Sequence, residues 1–194
     1  MITSAALVLT GGRSSRFGDH KPAAMLSGRT LVDHVLQATA GRPVIVVGSP
    51  VGVPPGLTVV TETPAGGGPV AAIAEGVRHL PPTDVVLLLA ADLPMINSRH
   101  LDQLTDAAGP GLACFVDPDG RPQWLCSAWP SALLNSRLAA IGDPVGQSLR
   151  HLATDVPRTE LPDPTGATAA DVDTLQDLAS LQNRRTEGVS DVWR

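Results

Sequence analysis

The chain has 194 residues, 43% of them hydrophobic and 17% charged, a composition typical of a globular protein with one sizeable core. Its net charge of −5 argues against a duplex nucleic acid partner, and its aromatic content of 3%, with no tyrosine, argues against stacking on single strands. With no secretory leader and no apolar run of about 20 residues, the sequence predicts a cytoplasmic protein with no membrane contact.

The first predicted element is an apolar strand over residues 5–9 that runs into a loop rich in glycine and arginine. The loop begins with Gly11 and Gly12 and ends at Lys21, which is the single lysine among 14 lysine and arginine residues. An ammonium is a compact point charge that a broad planar guanidinium does not replace, so we predict that Lys21 contacts an anionic phosphate chain. Because neither GxxxxGK(S/T) nor GxGxxG is present, the loop is neither a Walker P-loop nor a dinucleotide fingerprint.

A helix and two short strands follow the loop. Thr30 and Asp33 fit a capping box, which predicts a helix that ends near Gly41. The runs 43–48 and 57–60 are apolar without alternation, which is typical of strands covered on both faces in a parallel sheet.

The next segment, residues 62–69, reads ETPAGGGP and opens an alanine-rich helix. Two interpretations of its three consecutive glycines stay open: a linker between two domains, and a loop that brings backbone N–H groups close to a ligand. No change of composition follows the segment, which favours the ligand-facing loop.

The most apolar run covers residues 84–91 and predicts the central strand of the sheet. Asp92 follows it directly, and open α/β sheets bind ligands at the carboxyl ends of their parallel strands. A turn-forming role is the alternative for this aspartate, but Asn97 or Ser98 can already cap the next helix. We therefore predict that Asp92 binds a metal ion or another ligand.

The runs 112–117 and 123–128 are joined by the turn sequence DPDG, and they predict a β-hairpin or the mixed edge of the sheet. Each run carries one of the two cysteines, Cys114 and Cys126. The spacing of the cysteines fits neither a metal site nor a CxxC motif, so we expect buried thiols.

Helices are predicted from Pro130 and over residues 146–152, and a last helix begins near Thr174. Residues from 183 onward show no periodicity, which predicts a flexible C-terminal tail over 183–194. The order of strands and helices predicts one three-layer α/β/α domain over residues 1–182 with a mostly parallel sheet.

Three motifs, in this order, resemble those of the MobA-like nucleotidyltransferases. Residues 9–18, read together with Lys21, resemble the signature LAGG-x-S-x-R-M-G-x-D-K. Residues 91–94 (ADLP) match the family's D-x-P motif, and residues 171–174 (DVDT) stand where the family has N-x-N/D-T before its last helix. The resemblance covers nearly the whole chain and implies a Rossmann-like nucleotidyltransferase fold.

The resemblance also implies a reaction, in which GMP moves from GTP to the terminal phosphate of molybdopterin and pyrophosphate is released. It implies Mg²⁺ as the cofactor, and as partners GTP, molybdopterin and, transiently, the proteins that mature molybdoenzymes. The catalytic residues that it implies are Lys21, Arg16 and Asp92. The nucleotide-binding residues that it implies are Leu9, Thr10, Gly11, Gly12, Arg13, Lys21, Glu62, Gly68, Pro69 and Asp92, and the metal ligands are Asp92 and Asp173.

The sequence departs from the family pattern at three positions. Thr10 replaces an alanine, His20 replaces an aspartate before the lysine, and Trp124 replaces a smaller residue on the acceptor side. The first two departures leave the predicted nucleotide site intact, whereas Trp124 leaves the identity of the acceptor open. Two alternatives are therefore kept: a nucleotidyltransferase of this fold that uses CTP or another phosphorylated acceptor, and a non-catalytic nucleotide-binding partner in molybdoenzyme assembly.

Overall fold

In the part of the chain that the structure describes, seven strands form one sheet with helices packed on both faces. The computed structural model describes residues 2–11, 21–163, 166, 168, 172 and 177–178. The predicted tail over 183–194 and the predicted cap at Thr174 lie outside these residues, and the single domain over 1–182 stays a prediction. None of the helices described is long and apolar enough to span a membrane.

The strands are β1 (Ser4–Leu9), β2 (Met25–Leu26), β3 (Arg29–Thr30), β4 (Val44–Val47), β5 (Thr58–Val60), β6 (Val85–Ala90), β7 (Leu112–Val116), β8 (Pro122–Pro130) and β9 (Arg158–Pro162). The helices are α1 (Leu31–Ala38), α2 (Pro69–Val77), α3 (Ser98–Ala107), α4 (Ser131–Ile141) and α5 (Leu149–Leu152). β2 and β3 form a separate two-stranded hairpin, and a 3₁₀ turn covers Lys21–Ala23.

All strands of the large sheet except β8 run in the same direction, so their carboxyl ends meet at one edge. The strand order is β5-β4-β1-β6-β8-β7-β9, and every neighbouring pair is parallel except the two pairs that β8 makes. β6 lies in the middle of this order, as its apolar sequence predicted. The mostly parallel α/β sheet predicted from the sequence is therefore confirmed.

The central strands are buried on both faces, which explains why their sequences do not alternate. On one face, Val8 of β1 and Leu87 of β6 pack with residues of α1 and α3. On the other face, Leu7 and Leu88 pack with residues of α2, α4 and α5. None of these four side chains is exposed to solvent. Two packed helix layers therefore hold the strand ends firmly at the edge of the sheet.

The predicted β-hairpin is present as β7 and β8, but neither of them is an outermost strand of the sheet. Oδ1 of Asp117 closes its turn by accepting hydrogen bonds from the N–H groups of Asp119 (2.9 Å) and Arg121 (2.8 Å). β8 lies between β6 and β7, and β9 pairs with β7 as the outermost strand on that side. β9 is not among the predicted elements, because its residues RTELP are exposed apart from Leu161 and three of the five are polar, and an outermost strand needs no continuous apolar run.

Two helices begin at the caps predicted from the sequence. At the start of α1, the N–H of Asp33 donates to Oγ1 of Thr30 at 3.2 Å. At the start of α3, the N–H of His100 donates to Oδ1 of Asn97, and Nδ1 of His100 accepts from the N–H of Asn97. Asn97 therefore caps α3, and Asp92 is not needed for that role.

Both cysteines are buried and unpaired, as predicted from their spacing. Burial raises the pKa of the Cys114 thiol to about 11, and burial also raises the pKa of Cys126. Both thiols are therefore protonated at neutral pH and contribute to the sheet as small apolar groups.

Gly111 allows β9 to lie against β7. A Cβ atom at residue 111 would lie 1.9 Å from the carbonyl oxygen of Pro157, which accepts a hydrogen bond from the N–H of Leu112. We expect Gly111→Ala to lower the free energy of unfolding by about 2–3 kcal/mol, because the backbone of one strand has to move. Gly109→Ala is the matched control, since a Cβ atom there has nothing within 4 Å. Urea unfolding measures both variants, and equal stabilities would contradict the prediction.

Candidate functional site

The predicted lysine and the predicted aspartate are in direct contact. Asp92 follows the central strand β6, and Lys21 begins the 3₁₀ turn. Nζ of Lys21 lies 2.6 Å from Oδ2 of Asp92, and the two side chains are 11% and 25% exposed. Shielding from water strengthens such a pair relative to a surface ion pair, while the partly exposed carboxylate stays accessible from the edge of the sheet.

Backbone hydrogen bonds hold Asp92 in place on both sides. The N–H of Ala91 donates to the carbonyl of Leu9 at 3.0 Å, which continues the pairing of β6 with β1. The carbonyl of Asp92 accepts from the N–H of Val172 at 3.2 Å. Val172 directly precedes Asp173 in the sequence, and Asp173, the second predicted metal ligand, lies outside the described residues.

A small apolar cluster supports both halves of the ion pair. Its buried members are Leu26, Leu31 and Val172, and the partly buried Met95 packs against it. Leu26 follows the turn that carries Lys21, whereas Met95 follows Asp92 in the chain. The cluster therefore links the two segments from which the charged side chains extend.

The end of β1 is tied to the end of β4 by Thr10. Its N–H donates to the carbonyl of Val47 at 2.9 Å, and its Oγ1 donates to the carbonyl of Ser49 at 2.8 Å. Thr10 is 7% exposed, whereas Gly11 is exposed. The hydroxyl that replaces the family's alanine therefore satisfies backbone carbonyls, and the accessible groups at this position are those of the Gly11 backbone.

Gly48, which the sequence predicts only as the end of a strand, packs against the start of the glycine loop. A Cβ atom at Gly48 would lie 2.8 Å from the backbone nitrogen of Gly11 and 3.0 Å from Oγ1 of Thr10, and its φ is +117°. Only a residue without a side chain lets the two loops approach this closely. The available sequence signal was a glycine placed immediately after a β-branched run.

The glycine-rich loop 62–69 connects β5 to α2 within the same sheet, so its interpretation as a linker between domains is wrong. Oε1 of Glu62 accepts from the N–H of Gly66 at 3.0 Å, which folds the loop back on its own first residue. The carbonyl of Gly67 accepts from the N–H of Gly146 at 2.7 Å. Gly68 caps α2 without any side-chain hydrogen bond.

Trp124, the third departure, lies on β8 in a region where its register with β7 shifts. The carbonyl of Trp124 accepts from Oγ of Ser127 at 2.7 Å, and the guanidinium carbon of Arg158 lies 5.9 Å from the centre of the indole ring. β8 pairs with β6 as far as Cys126 opposite Leu89, so Trp124 lies two residues beyond the last pair, on the side where β6 ends.

The structure brings some predicted residues together and leaves others outside its described part. Those at the adjacent ends of β1 and β6 are Leu9, Thr10, Gly11, Lys21 and Asp92. Those at the same edge but beyond β4, where β5 ends and α2 begins, are Glu62, Gly68 and Pro69. Those outside the described residues are Gly12, Arg13, Arg16 and Asp173.

The donor set around Asp92 suits a cation that keeps most of its own water. Within the described part of the chain, no three histidine, cysteine, aspartate or glutamate residues form a group that could hold a metal ion. Mg²⁺ is bound through one or two carboxylates together with substrate phosphates, so the carboxylate of Asp92 is a donor of the kind that Mg²⁺ takes.

The chain is similar in sequence to known nucleotidyltransferases. Residues 6–159 match the model of the MobA-like NTP transferase domain. A protein of Deinococcus radiodurans named "Probable molybdenum cofactor guanylyltransferase" is 30% identical over 198 aligned residues, which cover 97% of this chain and 99% of that protein.

Solved structures resemble this one in fold. Molybdopterin-guanine dinucleotide biosynthesis protein A from Archaeoglobus fulgidus superposes with a TM-score of 0.73 at 19% identity and covers 94% of this chain and 99% of its own. The 2-C-methyl-D-erythritol 4-phosphate cytidylyltransferase of Thermus thermophilus reaches 0.68 at 18% identity and covers 95% and 100%. One fold therefore carries proteins named for different nucleotides.

Gly48→Ala tests whether close packing at the end of β4 holds the end of β1. We expect the free energy of unfolding to fall by about 3 kcal/mol, from left-handed strain together with the contact to Gly11, and the Thr10 amide to exchange faster. Gly56→Ala is the control, because its φ is +92° and nothing lies within 4 Å of its Cβ position, so only about 1 kcal/mol of strain applies. Urea unfolding and amide exchange measure the difference, and equal losses in the two variants would argue against the packing contact.

Proposed function

The chain belongs to the MobA-like NTP transferase family, and from that membership we propose that it transfers GMP from GTP to the terminal phosphate of molybdopterin, releasing pyrophosphate. The observation that carries the proposal is the contact between Lys21 and Asp92 at the edge where the parallel strands end. In this proposal, the ammonium of Lys21 binds the phosphates and the carboxylate of Asp92 binds a divalent cation, so both act on the same triphosphate. The full-length likeness to the relative from Deinococcus radiodurans supports the choice of GTP and of the acceptor.

The proposed reaction is an in-line displacement at the α-phosphorus of GTP. An oxygen of the acceptor phosphate forms the new bond to that phosphorus. The bond to the oxygen that bridges the α- and β-phosphates breaks, and pyrophosphate leaves with the electron pair. A phosphate nucleophile is already ionised at neutral pH, so the protein needs no general base and contributes positioning and charge neutralisation.

Lys21 neutralises the triphosphate in this proposal. Its side chain is largely buried, so its ammonium acts on phosphate oxygens with little screening by water. Three N–H donors on a compact group suit the crowded oxygens of the leaving pyrophosphate better than a planar fork. Arg16 is the proposed second cation, by its place in the family motif.

Asp92 holds Mg²⁺ in this proposal, with Asp173 as a second carboxylate. When bound, Mg²⁺ polarises the phosphate oxygens and neutralises charge on the leaving group. Hydrogen bonds fix the backbone on both sides of Asp92, and its carboxylate lies against the ammonium of Lys21. The backbone of Gly11, exposed beside it, is available to the nucleotide.

Nucleotide preference tests the guanylyl assignment. We expect the protein to bind GTP with Mg²⁺ more tightly than CTP, and to release pyrophosphate from GTP only when molybdopterin is present. Calorimetry measures the two affinities, and a pyrophosphate assay with each triphosphate measures turnover. Tighter binding of CTP than of GTP, or turnover with CTP but not with GTP, would support the cytidylyl alternative instead.

Turnover by the wild type decides between catalysis and a non-catalytic nucleotide-binding role, and Asp92→Asn then tests the metal role of Asp92. We expect pyrophosphate release to fall by a factor of about 10² or more, because an amide replaces the anionic metal ligand. Asp102→Asn is the matched control, since Asp102 also pairs with a basic residue, Arg42, but lies on α3 with a largely exposed side chain. Wild-type turnover in Asp92→Asn would refute the metal role of Asp92.

A further inference from the structure

We infer that Lys21 closes the metal site at Asp92 while no nucleotide is bound, so that the divalent cation enters only together with the triphosphate. This inference rests on the proposed function, because it assigns a resting state to the same site. It gives Lys21 a second role, which is to occupy the carboxylate until phosphate oxygens replace it.

The first observation is that the contact joins two positions with fixed backbones. The carbonyl of Lys21 accepts from the N–H of Ala24 at 3.0 Å, and Lys21 and the following Pro22 are both buried. Asp92 is fixed by its own carbonyl and by the N–H of Ala91. The 2.6 Å contact between the side chains is therefore a feature of the folded chain rather than an encounter of two loose surface groups.

The second observation concerns the charge of the pair. A carboxylate and an ammonium in contact sum to zero, so the carboxylate of Asp92 has little uncompensated charge with which to attract a cation from solution. A divalent cation that arrives alone has to displace the ammonium from its carboxylate, and it then lies close to a positive charge with restricted access to water. The cost of breaking the shielded contact between Lys21 and Asp92 therefore opposes the entry of a cation without the triphosphate.

The triphosphate changes this balance. Its oxygens accept the ammonium of Lys21, and the carboxylate of Asp92 is then available to the cation that the phosphates also bind. Each charged group exchanges one partner for another, and none is left unpaired. By linkage, whatever factor the nucleotide adds to the affinity for the metal, the metal adds to the affinity for the nucleotide.

The single lysine allows the wild-type protein to report on the exchange. With lysine ¹³C-labelled at Cε, Lys21 gives the only lysine side-chain signal in the NMR spectrum. We expect this signal to be unchanged by Mg²⁺ alone at millimolar concentration and to shift when GTP and Mg²⁺ are added together. A shift with Mg²⁺ alone, at the concentration that suffices in the presence of GTP, would overturn the inference.

Direct metal binding gives a second measurement. Free Mn²⁺ is quantified by EPR in nucleotide-free wild type, Lys21→Met, Lys21→Arg and Asp92→Asn. We expect Lys21→Met to bind Mn²⁺ about fivefold or more tightly than wild type, a factor within the usual range of coupling between sites. Lys21→Arg, which retains a cation beside the carboxylate, should match wild type, and Asp92→Asn should lose the site.

Arg150→Met is the matched control for net charge. It also removes one positive charge, from an exposed residue of α5 for which the structure gives no side-chain hydrogen bond or ion pair. Equal Mn²⁺ affinities in wild type and Lys21→Met, or an equal gain in Arg150→Met, would overturn the inference. If GTP neither binds nor shifts the lysine signal, the proposed function fails, whereas the Mn²⁺ series still tests the ion pair by itself.

Discussion

The site depends on the parallel pairing of β1 with β6. Their register runs from Ser4 opposite Val85 to Leu9 opposite Ala90, and the N–H of Ala91 continues it by donating to Leu9. The two segments that follow these strands therefore begin side by side, about 4.8 Å apart. One leads into Thr10 and Gly11, and the other into Asp92. A shift of this register by one residue would separate the glycine loop from the carboxylate and turn the buried side chains of both strands toward the wrong faces.

Much of the fold follows from the sequence because the physical rules that produce it are local. Unalternating apolar runs belong to strands covered on both faces, and Thr30 and Asn97 have the side chains that cap helices. β9 escaped prediction because its position comes from pairing with β7 and from the missing side chain of Gly111, and neither leaves a pattern within its own five residues. The interior position of β7 likewise depends on β9, a strand that is distant in sequence.

The sequence points to Lys21 and Asp92 as candidate site residues, but it does not predict that their side chains are in contact. A single lysine behind a glycine loop and an aspartate after the most apolar strand each indicate a role, but nothing in either segment indicates that the two side chains touch. The function of Gly48 was hidden for the same reason, because the atoms that exclude a side chain there belong to Gly11 and Thr10. The side chain of Glu62 makes another contact that the sequence does not predict. A carboxylate in a glycine-rich loop can be occupied by the loop itself, here through the N–H of Gly66.

The two outermost strands of the sheet, β5 and β9, limit its tendency to pair with strands of other molecules. A sheet whose middle strand is as apolar as β6 would be a template for other chains if its outermost strands were long and flat. β5 at one end has only three residues, and β9 at the other carries Arg158 and Glu160 and finishes at Pro162, which has no N–H to offer a further strand. The same polarity that concealed β9 from sequence reasoning thus limits the recruitment of a foreign strand along that edge.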